Sequence, residues 1–226
     1  MSILEVSNVT KNYGALNVLD DISLNLDHGI YGLVGANGAG KTTLIKIISG
    51  LLKPNKGLVN FEDENIHNNL SYRSEIGFMP QSSAGFDNFT GRQLLWYIAS
   101  LKQLDKDSVK NEIDNLIKVT NLEKDIDKKV KEFSGGMRQR LMLIQALIGN
   151  PRIVFLDEPT AGLDPAERIK VRNYISQYSD NKIIIIATHV MQDIEAITDK
   201  VILLNKGKIE YTGSVESIIK SVEPFV

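Results

Sequence analysis

The chain has 226 residues, a formal net charge of −2 and no cysteine. A nearly neutral charge balance gives no electrostatic reason to expect nucleic acid binding, and the absence of cysteine excludes disulfides and thiolate metal sites. The opening residues lack the basic and apolar regions of a signal peptide, and no run approaches the roughly 18 apolar residues of a membrane-spanning helix. We therefore expect a cytoplasmic protein that is large enough to bury one sizeable α/β core.

Short β-like runs open the chain. Residues 3–9 and 18–26 alternate apolar and polar residues, which predicts a pair of antiparallel strands. The apolar run 30–34 then predicts a buried strand. Apolar residues at helical spacing over 41–52 predict a helix that is packed on a sheet.

A glycine-rich loop joins this strand to this helix, with the sequence Gly35-Ala36-Asn37-Gly38-Ala39-Gly40-Lys41-Thr42. Its outer glycines permit a tight turn whose N–H groups point inward, which forms a nest for anionic oxygens. Lys41 adds a positive charge over the β- and γ-phosphates of a nucleotide, and the Thr42 hydroxyl is placed to ligate Mg²⁺. Because a helix N-terminus also favours an anion, the segment predicts a site for nucleotide phosphates.

The rest of the chain changes from helices to alternating strands and helices. Apolar spacing predicts helices within 90–149, and the polar segments 102–112 and 121–132 are expected to be solvated faces and loops. The remaining predicted strands are 57–61, 75–79, 153–156, 183–187, 201–205 and 208–211, with a last helix from 214. Runs 153–156 and 183–187 are almost entirely apolar, as is typical of parallel strands that are covered on both faces.

Polar residues follow these two apolar runs, at the place where open parallel sheets bind ligands. Asp157 is suited to hold Mg²⁺, and Glu158 is suited to orient and deprotonate an attacking water. As a bare pair, two carboxylates after a strand are more often a helix cap or a solvated turn, but the presence of a Lys-Thr phosphate loop favours the roles with Mg²⁺ and water. His189 is placed to donate a hydrogen bond to a γ-phosphate, whereas His28 and His67 are expected to be structural or exposed.

A further segment, Phe133-Ser134-Gly135-Gly136-Met137, opens a helical pattern. Ser134 is a natural N-cap, and the glycines leave the helix N-terminus bare, so that an anion can approach its free N–H groups. The alternative is an ordinary helix cap. Since a chain with one phosphate loop does not need a second anion site, the segment indicates a nucleotide that is held by another subunit.

Together these motifs resemble those of ATP-binding cassette (ABC) ATPases. The matching motifs are 35–42, Ser134-Gly135-Gly136, Leu156-Asp157-Glu158-Pro159, Ala161-Gly162-Leu163-Asp164 and His189, in the family's order and approximate spacing. The resemblance covers essentially the whole chain and implies one ABC ATPase domain over 1–226. It implies a P-loop NTPase parallel-sheet core with an antiparallel β lobe, over about 1–80 and 150–226, and an inserted helical lobe over about 81–149. It also implies that two cassettes dimerise head to tail and sandwich ATP.

The resemblance assigns individual roles. The residues implied to contact ATP are Tyr13, Gly35, Asn37, Gly38, Gly40, Lys41, Thr42, Thr43, Ser134, Gly135 and Gly136. Those implied to hold Mg²⁺ are Thr42, Gln81 and Asp157, and those implied in catalysis are Glu158, His189 and Gln81. Tyr13 would stack on adenine, Gln81 would relay the nucleotide state to the helical lobe, and Asp164 would cross the dimer interface. Phe133 and Met137 replace the usual Leu and Gln, and Met137 lacks an amide for a capping box.

The single-cassette layout resembles the motor subunit of a membrane transporter. Within that class, the runs 134–140 and 160–168 look most like exporters of antibiotics, bacteriocins and other peptides or lipophilic compounds. The implied partners are a polytopic permease and a second ATPase subunit, which place the chain at the inner face of the cell membrane, with no nucleic acid. An importer ATPase and a soluble iron–sulfur assembly ATPase without a permease stay open. Phe86 and Phe89 are candidates for a permease-binding groove or for the core of the helical lobe.

Overall fold

The fold is described from a computed structural model, for residues 3–69, 71–80, 85–189 and 191–217. Contacts within the chain divide it into two compact units. Unit 1 comprises Met1–Arg73 and Ser179–Val226, and unit 2 comprises Ser74–Tyr178. The functional division into a core and a helical lobe over 81–149 stays a prediction.

Strands and helices alternate through most of the chain. The strands are β1 (Leu4–Tyr13), β2 (Leu16–Leu26), β3 (Gly29–Val34), β4 (Lys56–Phe61), β5 (Glu64–Asn65), β6 (Ile76–Met79), β7 (Ile153–Asp157), β8 (Ile183–Ala187), β9 (Lys200–Asn205) and β10 (Lys208–Gly213). The helices are α1 (Lys41–Ile48), α2 (Gly91–Leu101), α3 (Lys106–Val119), α4 (Gly135–Leu147), α5 (Pro165–Gln177) and α6 (Met191–Ile197), with a 3₁₀ turn at Val130–Glu132. The α/β class predicted from the sequence is confirmed. The helix predicted from residue 214 lies largely outside the described residues.

Unit 1 contains an antiparallel sheet and a mainly parallel group of strands. The antiparallel sheet has four strands in the order β2-β1-β4-β5, and Leu4 of β1 pairs with Leu26 of β2. In the second group β3 pairs in parallel with both β8 and β9, while β10 pairs with β9 as an antiparallel hairpin. Every residue of β8 is buried, because its apolar run is covered on both faces. The predicted antiparallel pair, the buried parallel strand and the hairpin at 206–207 are confirmed.

Helix α1 is shorter than the apolar spacing over 41–52 predicts. It ends at Ile48, and Gly50 then takes a left-handed conformation with φ 73°. Glycine adopts this conformation without a steric penalty, so it ends the helix where a larger residue would tend to continue it. Leu51 is consequently 67% exposed rather than part of the buried face.

The end of α1 is also held by Tyr72, which is buried in unit 1. Its hydroxyl donates a hydrogen bond of 2.7 Å to the carbonyl oxygen of Ile48. Its ring centroid lies 5.3 Å from that of Phe61. Burial raises the pKa of Tyr72 above its ordinary value of 10.0, so the folded phenol stays neutral.

We expect Tyr72→Phe to lower the free energy of unfolding by about 1–3 kcal/mol near neutral pH, because the Ile48 carbonyl loses its buried donor. The difference from the wild type should shrink above about pH 10, since the unfolded Tyr72 ionises there while the folded phenol does not, which destabilises the wild type alone. Denaturant unfolding at neutral and alkaline pH measures both effects. Tyr97→Phe is the control, because Tyr97 is 42% exposed. Equal stability of Tyr72→Phe and the wild type at neutral pH would contradict this account.

Unit 2 places helix α4 against a parallel pair of strands. Strands β6 and β7 pair in parallel, and α4 contacts both. The approach is close, because a Cβ at Gly77 of β6 would overlap the carbonyl oxygen of Ala146. The Gln145 side chain adds a hydrogen bond of 2.7 Å from its Nε2 to the Phe78 carbonyl oxygen. In the described part of the chain, no helix combines the length and the apolar character that crossing a membrane requires.

Candidate functional site: a phosphate loop and an acidic strand end

The glycine-rich loop of unit 1 is shaped by close backbone contacts. A Cβ at Gly35 would overlap the carbonyl oxygen of Leu204, so that only glycine fits there. Gly40 precedes α1 with φ 109°, a conformation that side chains rarely permit. The Gly207 N–H, in the β9–β10 turn, donates to the Ala39 carbonyl oxygen at 3.0 Å. The loop is therefore fastened to the hairpin that follows β9.

Lys41 brings a positive charge to this loop. Its Nζ donates to the carbonyl oxygens of Gly35 and Ala36, at 2.6 and 3.1 Å. Thr42, in the first turn of α1, is exposed, and the tip residues Asn37 and Gly38 are exposed as well. Thr43 is half-buried and Gly40 is buried at the helix start. A cation, a helix N-terminus and an exposed glycine-rich backbone together form a surface that suits a polyphosphate.

His189 and the loop emerge from neighbouring strands of unit 1. Leu33 of β3 pairs in parallel with Ala187 of β8, so the two strands end at the same edge. His189, two residues beyond β8, is exposed. Tyr13 ends β1 in the other sheet; the residue is 51% exposed, and the Lys11 Nζ lies over its ring, 5.6 Å from the centroid. The residue predicted to stack on adenine is therefore accessible, with Lys11 beside its ring.

In unit 2, the two predicted carboxylates follow the apolar run of β7. Asp157 is the last residue of β7, and both Asp157 and Glu158 are half-buried. Glu158 has φ 54°, a left-handed conformation that is uncommon for residues other than glycine. Its carbonyl oxygen accepts a hydrogen bond of 2.8 Å from Nε2 of Gln139 in α4. The sequence did not single out Gln139.

The Ser-Gly-Gly segment forms the start of α4. Ser134 is the N-cap, and its Oγ accepts a hydrogen bond of 3.2 Å from the Met137 N–H. Gly135 is exposed, and a Cβ there would have no neighbour within 4 Å. Phe133, at the position that departs from the family pattern, is buried and lies close to Gly91 of α2. The substitution is therefore accommodated by packing within unit 2.

A cavity of about 420 Å³ lies beside this helix start. Its lining residues are Asp125, Ser134, Gly136, Met137, Arg140, Gly162, Leu163, Asp164 and Glu167. Arg140 and Glu167 form an ion pair within it, and Lys170 also donates to Glu167, at 2.8 Å. Asp164 caps α5, its carboxylate accepting from the Glu167 N–H at 2.9 Å. Unit 2 thus brings the Ser-Gly-Gly segment and Asp164 to one cavity.

Comparison with known proteins decides which family has this set of motifs. The family model described as "ABC transporter" matches residues 19–161. The chain belongs to this family. It is similar to the ABC transporter ATP-binding protein NatA of Bacillus subtilis, with 33% identity over 205 residues, 89% of this chain and 83% of NatA. It is 35% identical over 212 residues to the bacitracin transport ATP-binding protein BcrA of Bacillus licheniformis, covering 92% of this chain and 68% of BcrA.

A solved structure of an ATP-binding subunit of an ABC transporter is similar in fold, with a TM-score of 0.88, 26% identity, and coverage of 98% of this chain and 94% of that one. Some family members are far longer, since the chain spans only 8% of the human ATP-binding cassette sub-family A member 2. The family predicted from the motifs is confirmed, and the chain is an ABC transporter ATPase subunit. ABC ATPase domains bind ATP, pair as dimers and act with membrane permeases.

One predicted site residue is not described by the structure, and three residues that the motifs did not predict belong to the candidate site. Gln81 lies outside the described residues, so its predicted contacts with Mg²⁺ and water stay a prediction. The candidate site also includes Gln139, Arg140 and Glu167, to which the motifs assigned no role. The available signal was the helical spacing, because a residue four positions after Gly135 lies one turn further along the same face.

Proposed function

We propose that this chain is the ATP-hydrolysing motor subunit of a membrane exporter of peptides, antibiotics or lipophilic compounds. The observation that carries the ATPase part is the phosphate loop, in which the Lys41 ammonium bonds the Gly35 and Ala36 carbonyls at the start of α1. The export part is supported by similarity to the bacitracin transport protein and by the runs 134–140 and 160–168. The alternatives are an importer ATPase and an iron–sulfur assembly ATPase without a permease, and copurification together with transport measurements distinguishes them from an exporter.

In the proposed site, the loop 35–42 and Thr43 bind the phosphates of ATP, and Tyr13 stacks on adenine. Such an aromatic contact is worth roughly 1–3 kcal/mol, by analogy with base stacking in nucleic acid complexes. The exposure of Tyr13 and of the loop tip supports this assignment.

Three oxygen donors are proposed to hold Mg²⁺. Thr42, Asp157 and Gln81 supply a hydroxyl, a carboxylate and an amide oxygen, and hard oxygen ligands are those that Mg²⁺ prefers. When bound, the ion would neutralise charge on the phosphates. Glu158 orients and deprotonates the attacking water, and His189 donates a hydrogen bond to the γ-phosphate.

The proposed partners are a second cassette and a permease at the inner face of the cell membrane. Ser134, Gly135 and Gly136 contact the nucleotide that the other cassette holds, and Asp164 crosses the interface between cassettes. The cavity that Ser134, Gly136 and Asp164 share supports this role, because residues at the start of α4 line it.

The transport proposal is tested by recovering partners and by measuring export. The tagged wild type is purified from detergent-solubilised membranes of its own cells, and a polytopic membrane protein should copurify with it. Cells that carry Glu158→Gln in the chromosome should become more sensitive to an exported peptide antibiotic or retain a labelled substrate. Recovery of only soluble partners, or uptake that fails in the variant while export is normal, would overturn the exporter assignment.

An aromatic groove beside α2 supports the permease contact. It has a volume of about 460 Å³ and is lined by Asn88, Phe89, Gln93, Trp96, Tyr97 and Ser100. The ring centroids of Phe86 and Phe89 lie 6.0 Å apart and 6.4 and 5.6 Å from that of Tyr97. Both phenylalanines are half-buried, so they pack within unit 2 and also leave an apolar surface. Aromatic anchors of this kind suit a short amphipathic helix.

We expect Tyr97→Ser to reduce copurification of the permease by about tenfold or more, because an aromatic anchor in a groove contributes much of the binding energy. The ATPase rate of the isolated subunit should change little, and its Tm should fall modestly, since Tyr97 is 42% exposed but its ring packs on Phe86 and Phe89. Leu101→Ser is the matched control, on the same helix and 61% exposed but outside the groove. Equal permease recovery with both variants would show that the groove does not bind the permease.

A further inference from the structure

Glu158 occupies a conformation that the local sequence does not favour. Strand β7 ends at Asp157, and Glu158 then turns with φ 54°. An L-residue with a long side chain rarely takes a positive φ, so neighbouring contacts must hold it there. Its carbonyl oxygen accepts two hydrogen bonds, from the Ala161 N–H at 3.2 Å and from Gln139 Nε2 at 2.8 Å. The first of these lies within the same turn, and the second comes from another element.

Gln139 lies on α4, which packs on β6 and β7. At its N-terminus Ser134 caps α4. Near its C-terminus the backbone at Ala146 lies against Gly77 of β6, so closely that no side chain would fit at Gly77. A side chain on this helix moves with the helix, so its hydrogen bond couples the acceptor to the position of α4. The neighbouring Arg140 pairs with Glu167, whereas Gln139 bonds the Glu158 backbone.

We infer that Gln139 is a positioning residue for Glu158 and ties the start of α4 to the hydrolytic carboxylate of the same chain. The inference rests on the proposed role of Glu158 as the base. Gln139 lies one helical turn from Gly135, where the proposed function places the nucleotide of the partner cassette. A small shift of α4 on nucleotide binding therefore reaches the Glu158 backbone through one hydrogen bond.

Gln139→Met keeps the length of the side chain and removes the donor. We expect kcat for ATP hydrolysis to fall on the order of tenfold to a hundredfold, because a small displacement of a catalytic group has effects of that size. The KM for ATP should stay as in the wild type, since the phosphate loop is untouched. Gln139→Glu, which is nearly isosteric and places an acceptor beside the carbonyl, should behave in the same way and guards against a packing defect in the Met variant.

Gln145→Met is the matched control. It removes the same kind of bond from the same helix, but to the Phe78 carbonyl rather than to Glu158. It should lower Tm at least as much as Gln139→Met, because Gln145 is more buried, and it should keep a kcat close to that of the wild type. If Gln145→Met lowers kcat as much as Gln139→Met does, the effect is a general loosening of α4 and the inference is overturned.

The decisive measurement is a double-mutant cycle with Glu158→Gln, using single-turnover rates. If Gln139 acts through Glu158, Gln139→Met should cause no further loss once the carboxylate is absent. A further loss equal to that seen with Glu158 present would overturn the inference. Wild-type kcat in both Gln139 variants, together with slow hydrolysis by Glu158→Gln, would overturn this inference alone. Normal hydrolysis by Glu158→Gln would overturn the proposed role of Glu158 and the inference with it.

Discussion

Glu158→Gln is expected to bind ATP with Mg²⁺ as the wild type does and to hydrolyse it at least ~10²-fold more slowly. The substitution keeps the size of the side chain and removes the carboxylate that takes the proton of the attacking water. Phosphoryl transfer depends mainly on positioning and charge stabilisation, and the groups proposed to position the phosphates lie elsewhere, in the loop 35–42. Equilibrium binding of a fluorescent ATP analogue and steady-state phosphate release measure the two properties separately.

Two further variants make this result specific. Lys41→Ala should weaken nucleotide binding itself, because it removes the ammonium from the phosphate loop. Glu123→Gln removes an exposed carboxylate from the same unit as Glu158 and should leave both binding and turnover unchanged. Near-normal phosphate release by Glu158→Gln would sink the assignment of this residue as the base.

The phosphate loop was predictable because its requirements are local. A positive φ at Gly40 and the close approach of Leu204 to Gly35 both require glycine. The backbone geometry of the loop can therefore be predicted from the spacing of its glycines. The parallel strand β8 was equally visible, since its five residues are all buried and all apolar. Where a local constraint admits only one type of residue, the sequence was sufficient to predict the local structure.

Features that depend on distant contacts were less visible. Helix α3 begins at Lys106, within a segment expected to be a solvated face or loop. Asp105 caps this helix, and its carboxylate accepts a hydrogen bond of 3.0 Å from the Ser108 N–H. That hydrogen bond lowers the pKa of the Asp105 carboxyl. Apolar spacing alone did not show where α1 ends. The Gln139–Glu158 bond joins residues that are 19 positions apart, and only the packing of α4 on β6 and β7 brings them together.

Gly135→Arg is expected to abolish ATP-dependent dimerisation while leaving ATP binding by the monomer intact. The residue begins α4 and is exposed, and a Cβ there meets no atom of the chain within 4 Å. Arginine is also a better helix former than glycine, so the fold of the monomer should not be weakened. If the partner's nucleotide sits against this helix start, however, the long side chain occupies its place. Loss of dimerisation with intact ATP binding would therefore show that Gly135 lies at the interface between cassettes and is not only part of a helix cap.

The experiment is made in the Glu158→Gln background, in which bound ATP persists long enough for light scattering to measure the mass of the complex. Glu158→Gln alone should double its mass when ATP and Mg²⁺ are added, and the Gly135→Arg double variant should stay monomeric. Asn111→Arg in the same background is the control, because it places the same side chain at an exposed position of α3 and should still dimerise. A Gly135→Arg chain that dimerises as readily as this control would show that the Ser-Gly-Gly segment only caps α4. In that case Ser134, through its bond to the Met137 N–H, would account for the whole motif.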